Sequence, residues 1–260
     1  MYLFENKPEN LSKMKAQYDK EGFIQIKKFF SQDDLKVIEK ELAGFCKDTA
    51  PKLSGRDINY TSSGEINSIH ALSQNSTFFK NLLSSKKVLD LVSHFLNDDA
   101  EPRVMEFFAK PAKVGMPSPM HQDNLYWCIA DANGLTAWIA LDHCDETNGG
   151  LTYYSGTHKD GIIEHMNSYA PGSSQTIKDL AMLRKIEDKR VTPVLEPGDV
   201  LIHHANLIHG SAANTSDRSR RGITMQFKGK HSEYDKNMLA HYEAKLYEQI
   251  KLREEQKQKI

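Results

Sequence analysis

Pro119-Met120-His121-Gln122-Asp123 is the stretch on which the fold and chemistry of this chain turn. On a strand, residues i and i+2 point to the same face, so His121 and Asp123 can share one cation. Two histidines and a carboxylate on one face of a metal leave three positions open. That facial arrangement suits Fe(II) oxygenases, in which a cosubstrate and O2 both need the open positions. An isolated His-x-Asp is more often a solvated turn, so a second histidine and a use for the open positions must come from elsewhere.

The C-terminal third supplies a histidine cluster, His203, His204 and His209. Leu207-Ile208-His209-Gly210-Ser211 reads as a strand ending at a site, with His209 and Ser211 on one face. Asn214 to Asp217 is a turn sequence, and a hairpin centred there sets Ser211 opposite Arg220 and His209 opposite Gly222. Parity then places His209, Ser211 and Arg220 on one face and sends Arg221 to the other. An arginine fork beside an iron site fits 2-oxoglutarate: the 2-oxo acid end chelates the metal, and the distal carboxylate takes bidentate charge-assisted hydrogen bonds from Arg220. Ser211 can donate another.

Taken together, Pro119 to Asp123, Asn148-Gly149-Gly150-Leu151, Ser155-Gly156-Thr157-His158-Lys159, Leu207 to Ser211 and the following Arg220 resemble the phytanoyl-CoA dioxygenase (PhyH) family, which includes the ectoine hydroxylases. The resemblance runs from about Phe23 to Lys228. It implies a double-stranded β-helix (jelly-roll, cupin-like) core, Fe(II), 2-oxoglutarate and O2, with cosubstrate leaving as succinate and CO2. Carried over by position, His121, Asp123 and His209 match the iron ligands, and Arg220 and Ser211 the residues that hold the distal carboxylate. Lys110 and Trp138 match further cosubstrate positions. Family halogenases lack the carboxylate ligand; Asp123 is present, which favours hydroxylation. Asn124, Tyr126 and His204 are candidates for the substrate wall, His204 because it recurs in the family pattern before the ligand. Trp127, next to Tyr126, reads as core or wall.

The rest of the chain fits a globular enzyme. In its 260 residues, 34 Lys and Arg balance 35 Asp and Glu, so no basic field invites nucleic acid. Cys46, Cys128 and Cys144 form no Cys-x-x-Cys pair, which argues against a disulfide framework and for a reducing cytoplasm. No basic-then-apolar leader and no stretch of ~20 apolar residues is seen, so neither secretion nor a membrane partner is expected.

The expected architecture is mainly β with flanking helices, one domain over 1–260: a helical N-terminal region over 1–100, a jelly-roll core over 101–230 and a C-terminal helix over 232–260. Helices are expected over 11–20, after an N-cap at Ser31, and as one helix from Thr77 to Phe95; Phe23 to Ile26 reads as a strand. Short apolar runs over 104–109, 135–141, 151–154, 191–195, 200–204 and 223–227 alternate with turn signals and read as core strands. His158 to Lys189 and Ser54 to His70 interrupt the pattern as lid candidates. His158 is read as ordering its turn, and His70 and His94 as lying in the helical region without a ligand partner. Met238, Tyr242, Leu246 and Ile250 recur every four residues, giving the tail an apolar stripe that packs on its own domain or on a second copy as a homodimer.

The function expected is hydroxylation of a small, polar metabolite. An acyl-CoA substrate, a zinc hydrolase using the same three ligands, and a jelly-roll binding protein without chemistry are the alternatives. Zinc chemistry would leave Arg220 and Ser211 without a task.

Overall fold

The computed structural model describes residues 2–3, 8–168 and 175–257. A two-residue strand β1 (Tyr2–Leu3) pairs with β2 (Phe23–Lys27), and helix α1 (Pro8–Glu21) lies between them. Gly22 ends α1 at φ +81, and a Cβ there would meet His158 Nδ1 at 2.5 Å, so only glycine fits this corner. Helix α2 (Gln32–Asp48) starts at the expected cap. Ser31 accepts from the Asp34 amide while Asp34 accepts from the Ser31 amide, and Leu35, Ile38, Leu42 and Phe45 are buried.

The helix expected from Thr77 to Phe95 is two helices, α3 (Thr77–Leu83) and α4 (Lys86–Leu96), parted at Ser84-Ser85. Serine competes locally with helical hydrogen bonding, and the break resets the phase. Phe79, Leu83, Val88, Leu91, Val92 and Phe95 are therefore buried, whereas Phe78, Leu82 and Leu89 are only half-buried. The N-terminal region is also less helical than expected. Strands β3 (Ile58–Tyr60) and β4 (Ile66–Ile69) form a hairpin there, and His70 follows a strand rather than lying in a helix.

The remaining elements are β5 (Ala100–Lys110), β6 (Ser118–His121), α5 (Asn124–Trp127), β7 (Gly134–Ala140), β8 (Leu151–Tyr154), β9 (His165–Asn167), β10 (Gln175–Ile177), α6 (Leu180–Lys185), β11 (Arg190–Val191), β12 (Val200–His204), β13 (His209–Ser211), β14 (Arg220–Gly229) and α7 (Lys236–Lys257). The strand expected over 191–195 stops at Val191, because Pro193 has no amide for the ladder; Leu195 makes only an isolated bridge to Cys144.

Eight strands in the order β1-β2-β12-β7-β14-β5-β4-β3 form the larger sheet, and β11-β8-β13-β6 the smaller one facing it, which is the jelly roll. The alternation of β7 sorts its side chains. Leu135, Ala137 and Ile139 face outward into a core with Ile38, Leu42, Phe79, Val92 and Phe95 of the helices. Trp138 faces inward to a second cluster with Phe23, Leu201, Tyr153 and Leu207.

The hairpin expected around Asn214 to Asp217 does not form. β13 pairs with β6 and β8 in the small sheet, whereas β14 pairs with β5 and β7 in the large one. The buried Asn214 amide donates to the Lys110, Pro111 and Arg218 carbonyls, tying the connection to the end of β5 so that it crosses between sheets. Helix α7 packs on the body through half-buried Met238, Tyr242 and Leu246, with Tyr247 exposed; the Ile250 side chain lies outside the described residues. Among the described residues no helix is long and apolar enough to cross a membrane.

Candidate metal centre

His121 is the last residue of β6 and His209 the first of β13, and the two are register partners. Antiparallel pairing sets their rings 4.3 Å apart between centroids. Asp123 is not on the strand. Its backbone is already helical (φ −59, ψ −37) at the start of α5, so the turn, rather than strand parity, returns its carboxylate to His121. Asp123 Oδ1 lies 3.7 Å from His121 Nε2 and 3.6 Å from His209 Nε2. The three ligand atoms fall within 4.8 Å of one another, as a shared metal requires.

Hydrogen bonds fix which atoms face the centre. His121 Nδ1 donates to the Pro119 carbonyl at 2.7 Å and His209 Nδ1 to the Leu207 carbonyl at 2.9 Å, leaving both Nε2 lone pairs inward. Asp123 Oδ2 accepts from the Thr136 hydroxyl at 2.7 Å and from His203 Nε2 at 3.2 Å, while His203 Nδ1 accepts from the Tyr153 hydroxyl at 3.0 Å. That leaves Oδ1 for the centre. Burial, then the neighbouring His209 charge, pulls His121 down to about 4; burial, then His203, does the same to His209. Burial works to raise the Asp123 carboxyl, but the surrounding imidazoles and the His203 hydrogen bond hold it well below the usual carboxylate range. At neutral pH, therefore, two unprotonated nitrogens and a carboxylate oxygen converge with no proton to share, a set that a divalent cation fits.

At the other end of the inner face, Arg220 opens β14 directly opposite Lys110, the last residue of β5. Both are buried. The Arg220 guanidinium stands 5.4 Å from the Trp138 ring centroid and donates through Nε to the Gly149 carbonyl at 3.1 Å. Trp138 can lie there because residue 222 is glycine; a Cβ on Gly222 would fall inside the indole. Lys110 Nζ donates to the carbonyls of Ala212 (2.5 Å) and Ser211 (3.4 Å). Burial and then the Arg220 charge pull its ammonium down to about 6. The Ser211 hydroxyl is buried without a partner, and among the described residues no carboxylate pairs with Arg220 or Lys110. A buried guanidinium, a buried amine that a bound anion would recharge and an unpartnered hydroxyl fit the carboxylate of a dicarboxylic acid. Arg221, by contrast, is half-exposed and ion-paired to Asp142 (2.7 Å) and Glu39 (2.9 Å).

The three residues expected at a substrate wall stand in different places. The Tyr126 ring sits 6.0 Å from His121 and its hydroxyl meets the Gln175 backbone, so it does border the centre. Asn124 does not: its buried amide bonds both backbone groups of Ile129 and closes the turn. His204 does not either. Strand alternation turns His203 inward and His204 outward, where its ring packs on Tyr18 and His158. Trp127 is core, beside Ile129 and Ala205. Thr136, His203 and Tyr153, which orient Asp123, carry no local sequence signal, because they come from three separate strands. Gln122, between the two ligands, is fully buried. It donates to the Gly161 and Asn206 carbonyls and accepts from the Ile163 amide, anchoring the insertion after His158 beside the centre.

Jelly rolls with three such donors facing one another between their sheets, and a buried basic pair farther along the same inner face, are built for a particular chemistry, and this chain is a non-haem iron, 2-oxoglutarate-dependent dioxygenase. It belongs to the phytanoyl-CoA dioxygenase (PhyH) family, whose model matches residues 18–222. Peroxisomal phytanoyl-CoA dioxygenase of Bos taurus is 28% identical over 90% of this chain and 72% of its own length. A probable alpha-ketoglutarate-dependent hypophosphite dioxygenase of Stutzerimonas stutzeri is 26% identical over 83% of this chain and 78% of its own. Among solved structures, EctD from S. alaskensis with 2-oxoglutarate and 5-hydroxyectoine superposes with a TM-score of 0.74 at 22% identity, covering 89% of this chain and 80% of that one.

Proposed function

We propose that His121, Asp123 and His209 hold the Fe(II), and that Arg220, with Ser211 and Lys110, takes the distal carboxylate of 2-oxoglutarate against the Trp138 ring. Bound iron, with 2-oxoglutarate and O2, supplies the oxidising power for an unactivated C–H bond, and the cosubstrate leaves as succinate and CO2. The protein's own contribution is positional. Pro119 and Leu207 carbonyls keep the imidazoles unprotonated at Nε2, and Thr136 and His203 aim one carboxylate oxygen. The observation that carries this reading is the meeting of Asp123 Oδ1 with two Nε2 atoms at 3.6 and 3.7 Å. The product is a hydroxylated small, polar metabolite, and the working compartment is the cytoplasm. Metal analysis of protein reconstituted with Fe(II) under argon tests the ligand set: one iron per chain is expected, falling to background in His121→Ala and in His209→Ala. Full iron content in either variant contradicts it.

A further inference from the structure

The inner face of the large sheet carries a polar group that the iron and cosubstrate sites leave unused. Glu106, Phe108 and Lys110 alternate onto that face along β5, as do Arg220, Gly222, Thr224 and Gln226 along β14. Gln226 is the register partner of Thr136, whose hydroxyl holds Asp123. Facing side chains of such a pair stand about 5 Å apart on the same face. From there Gln226 Nε2 donates to Glu106 Oε2 at 2.7 Å, and Glu106 Oε1 meets His70 Nδ1 at 2.7 Å. His70 Nε2 lies 3.0 Å from the Ser68 hydroxyl and 3.2 Å from the Asn59 amide. Polar side chains on one face therefore extend from Thr136, beside the metal's carboxylate, to the sheet edge.

Two features separate this row from ordinary core polar groups. Its outward-facing neighbours Met105 and Phe107 are sealed under the helices, yet the Glu106 and His70 side chains keep 14% and 24% of their surface open. A carboxylate on the inner face of a sandwich also costs much unless it is paired, and its partners here occupy one lone pair on each oxygen and leave the others free. Phe108, in edge contact with the His70 ring at 5.6 Å, gives the acceptor an apolar flank.

We propose that Glu106, held in place by His70 and Gln226, anchors the substrate. It accepts a hydrogen bond from an amine, amide or hydroxyl group of a small polar molecule, whose reacting carbon then lies at the metal roughly two strand spacings (~10 Å) away. This rests on the dioxygenase reading and narrows its substrate to donor-bearing compounds; an ionised carboxylate group or a simple S-alkyl thioester presents no donor to this wall.

Succinate formation by the iron-loaded full-length enzyme, stimulated by amines, amino alcohols and polyols and by matched carboxylic acids and a short S-alkyl thioester, tests the assignment. Donor-bearing compounds are expected to stimulate. With the best of them, Glu106→Ala is expected to raise its KM about 10- to 100-fold relative to the KM for 2-oxoglutarate, the loss of one hydrogen bond to a charged group. Glu106→Gln, which keeps one acceptor oxygen and the shape, should fall between, and Gln226→Ala should raise the same KM several-fold. Stimulation confined to the acids or the S-alkyl thioester overturns the proposal, as does a Glu106→Ala variant that shifts both KM values alike or neither. A native enzyme that binds iron and 2-oxoglutarate, yet responds to no donor-bearing compound, also overturns it. Failure to bind iron and 2-oxoglutarate, read separately by metal analysis and calorimetry, removes the dioxygenase reading itself and this assignment with it.

Discussion

The Thr136 hydroxyl donates a 2.7 Å hydrogen bond to Asp123 Oδ2, and His203 reaches the same oxygen at 3.2 Å. One carboxylate oxygen is thus occupied by strands β7 and β12 of the large sheet. The other is left for the two histidines, which stand on β6 and β13 of the small one. The centre is a joint between the two sheets, and its geometry depends on both.

Thr136→Val keeps the shape of that side chain and deletes the donor. Outer hydrogen bonds to ligands are typically worth 10- to 100-fold in metal affinity, so Fe(II) or Co(II) binding is expected to weaken by about that factor. Thr136→Ser should restore most of it. Unchanged affinity in the valine variant, measured by metal titration, contradicts the positioning role.

Arg220 and Arg221 are neighbours with opposite fates. Arg220→Ala is expected to raise the KM for 2-oxoglutarate about 30- to several thousand-fold, the ~2–5 kcal/mol of a lost buried charge-assisted pair. Arg221→Ala removes half-exposed ion pairs to Asp142 and Glu39 and should change stability by no more than about 1 kcal/mol, with little effect on that KM. Steady-state kinetics on the two variants checks the contrast. A sensitive Arg221 and a silent Arg220 would refute it.

That contrast is legible in the sequence, although the geometry behind it is not. Parity puts Arg220 inside and Arg221 outside, but through a hairpin with Ser211 that the structure replaces by a crossover. A buried Asn214 that bonds the carbonyls of Lys110 and Pro111 at the end of β5, besides that of nearby Arg218, looks, in sequence, the same as an Asn in a surface turn. The triad is readable because His-x-Asp is local and the family pattern fixes His209. Thr136, His203, Glu106 and His70 are not, because their partners are set by strand order, which no periodicity encodes. The family pattern favours His204 over His203 as a pocket residue, and only the phase of β12 against β7 settles the choice. The split of α3 from α4 at Ser84-Ser85 escapes for a different reason: apolar residues are dense enough there to satisfy one helix or two.

Lys110 gives the cosubstrate site a proton linkage. Burial and Arg220 hold its ammonium at about 6, so near pH 7.5 the free protein carries it mostly neutral. A bound carboxylate favours the charged form and raises that value, so binding takes up a proton and tightens as pH falls from about 8 toward 6. Calorimetry in buffers of different ionisation enthalpy should show uptake of up to one proton for 2-oxoglutarate, lost in Lys110→Met. Uptake of none in the native protein would show that Lys110 does not answer to the ligand.

Acid should destabilise the metal-free protein for a related reason. His121, His165, His204 and His209 all sit at about 4 in the fold, each lowered first by burial. As pH falls below the unfolded value of about 6.5, the unfolded chain gains protons that the folded chain refuses, and stability drops until the folded values near 4 are reached. A loss on the order of 1–2 kcal/mol per histidine is expected by about pH 5, read as a falling urea midpoint. A midpoint that holds constant between pH 7 and 5 contradicts the burial of neutral imidazoles.

The most direct test of the central claim is a single assay of 2-oxoglutarate consumption and succinate formation by the purified protein, run with and without Fe(II) and with and without O2. Succinate is expected to appear only when iron, 2-oxoglutarate and O2 are all present. It should vanish in Asp123→Ala and His209→Ala, which remove a donor facing the centre. Succinate formation that persists in both variants, or a complete absence of 2-oxoglutarate turnover in native protein shown to hold one Fe(II) per chain, would contradict the account.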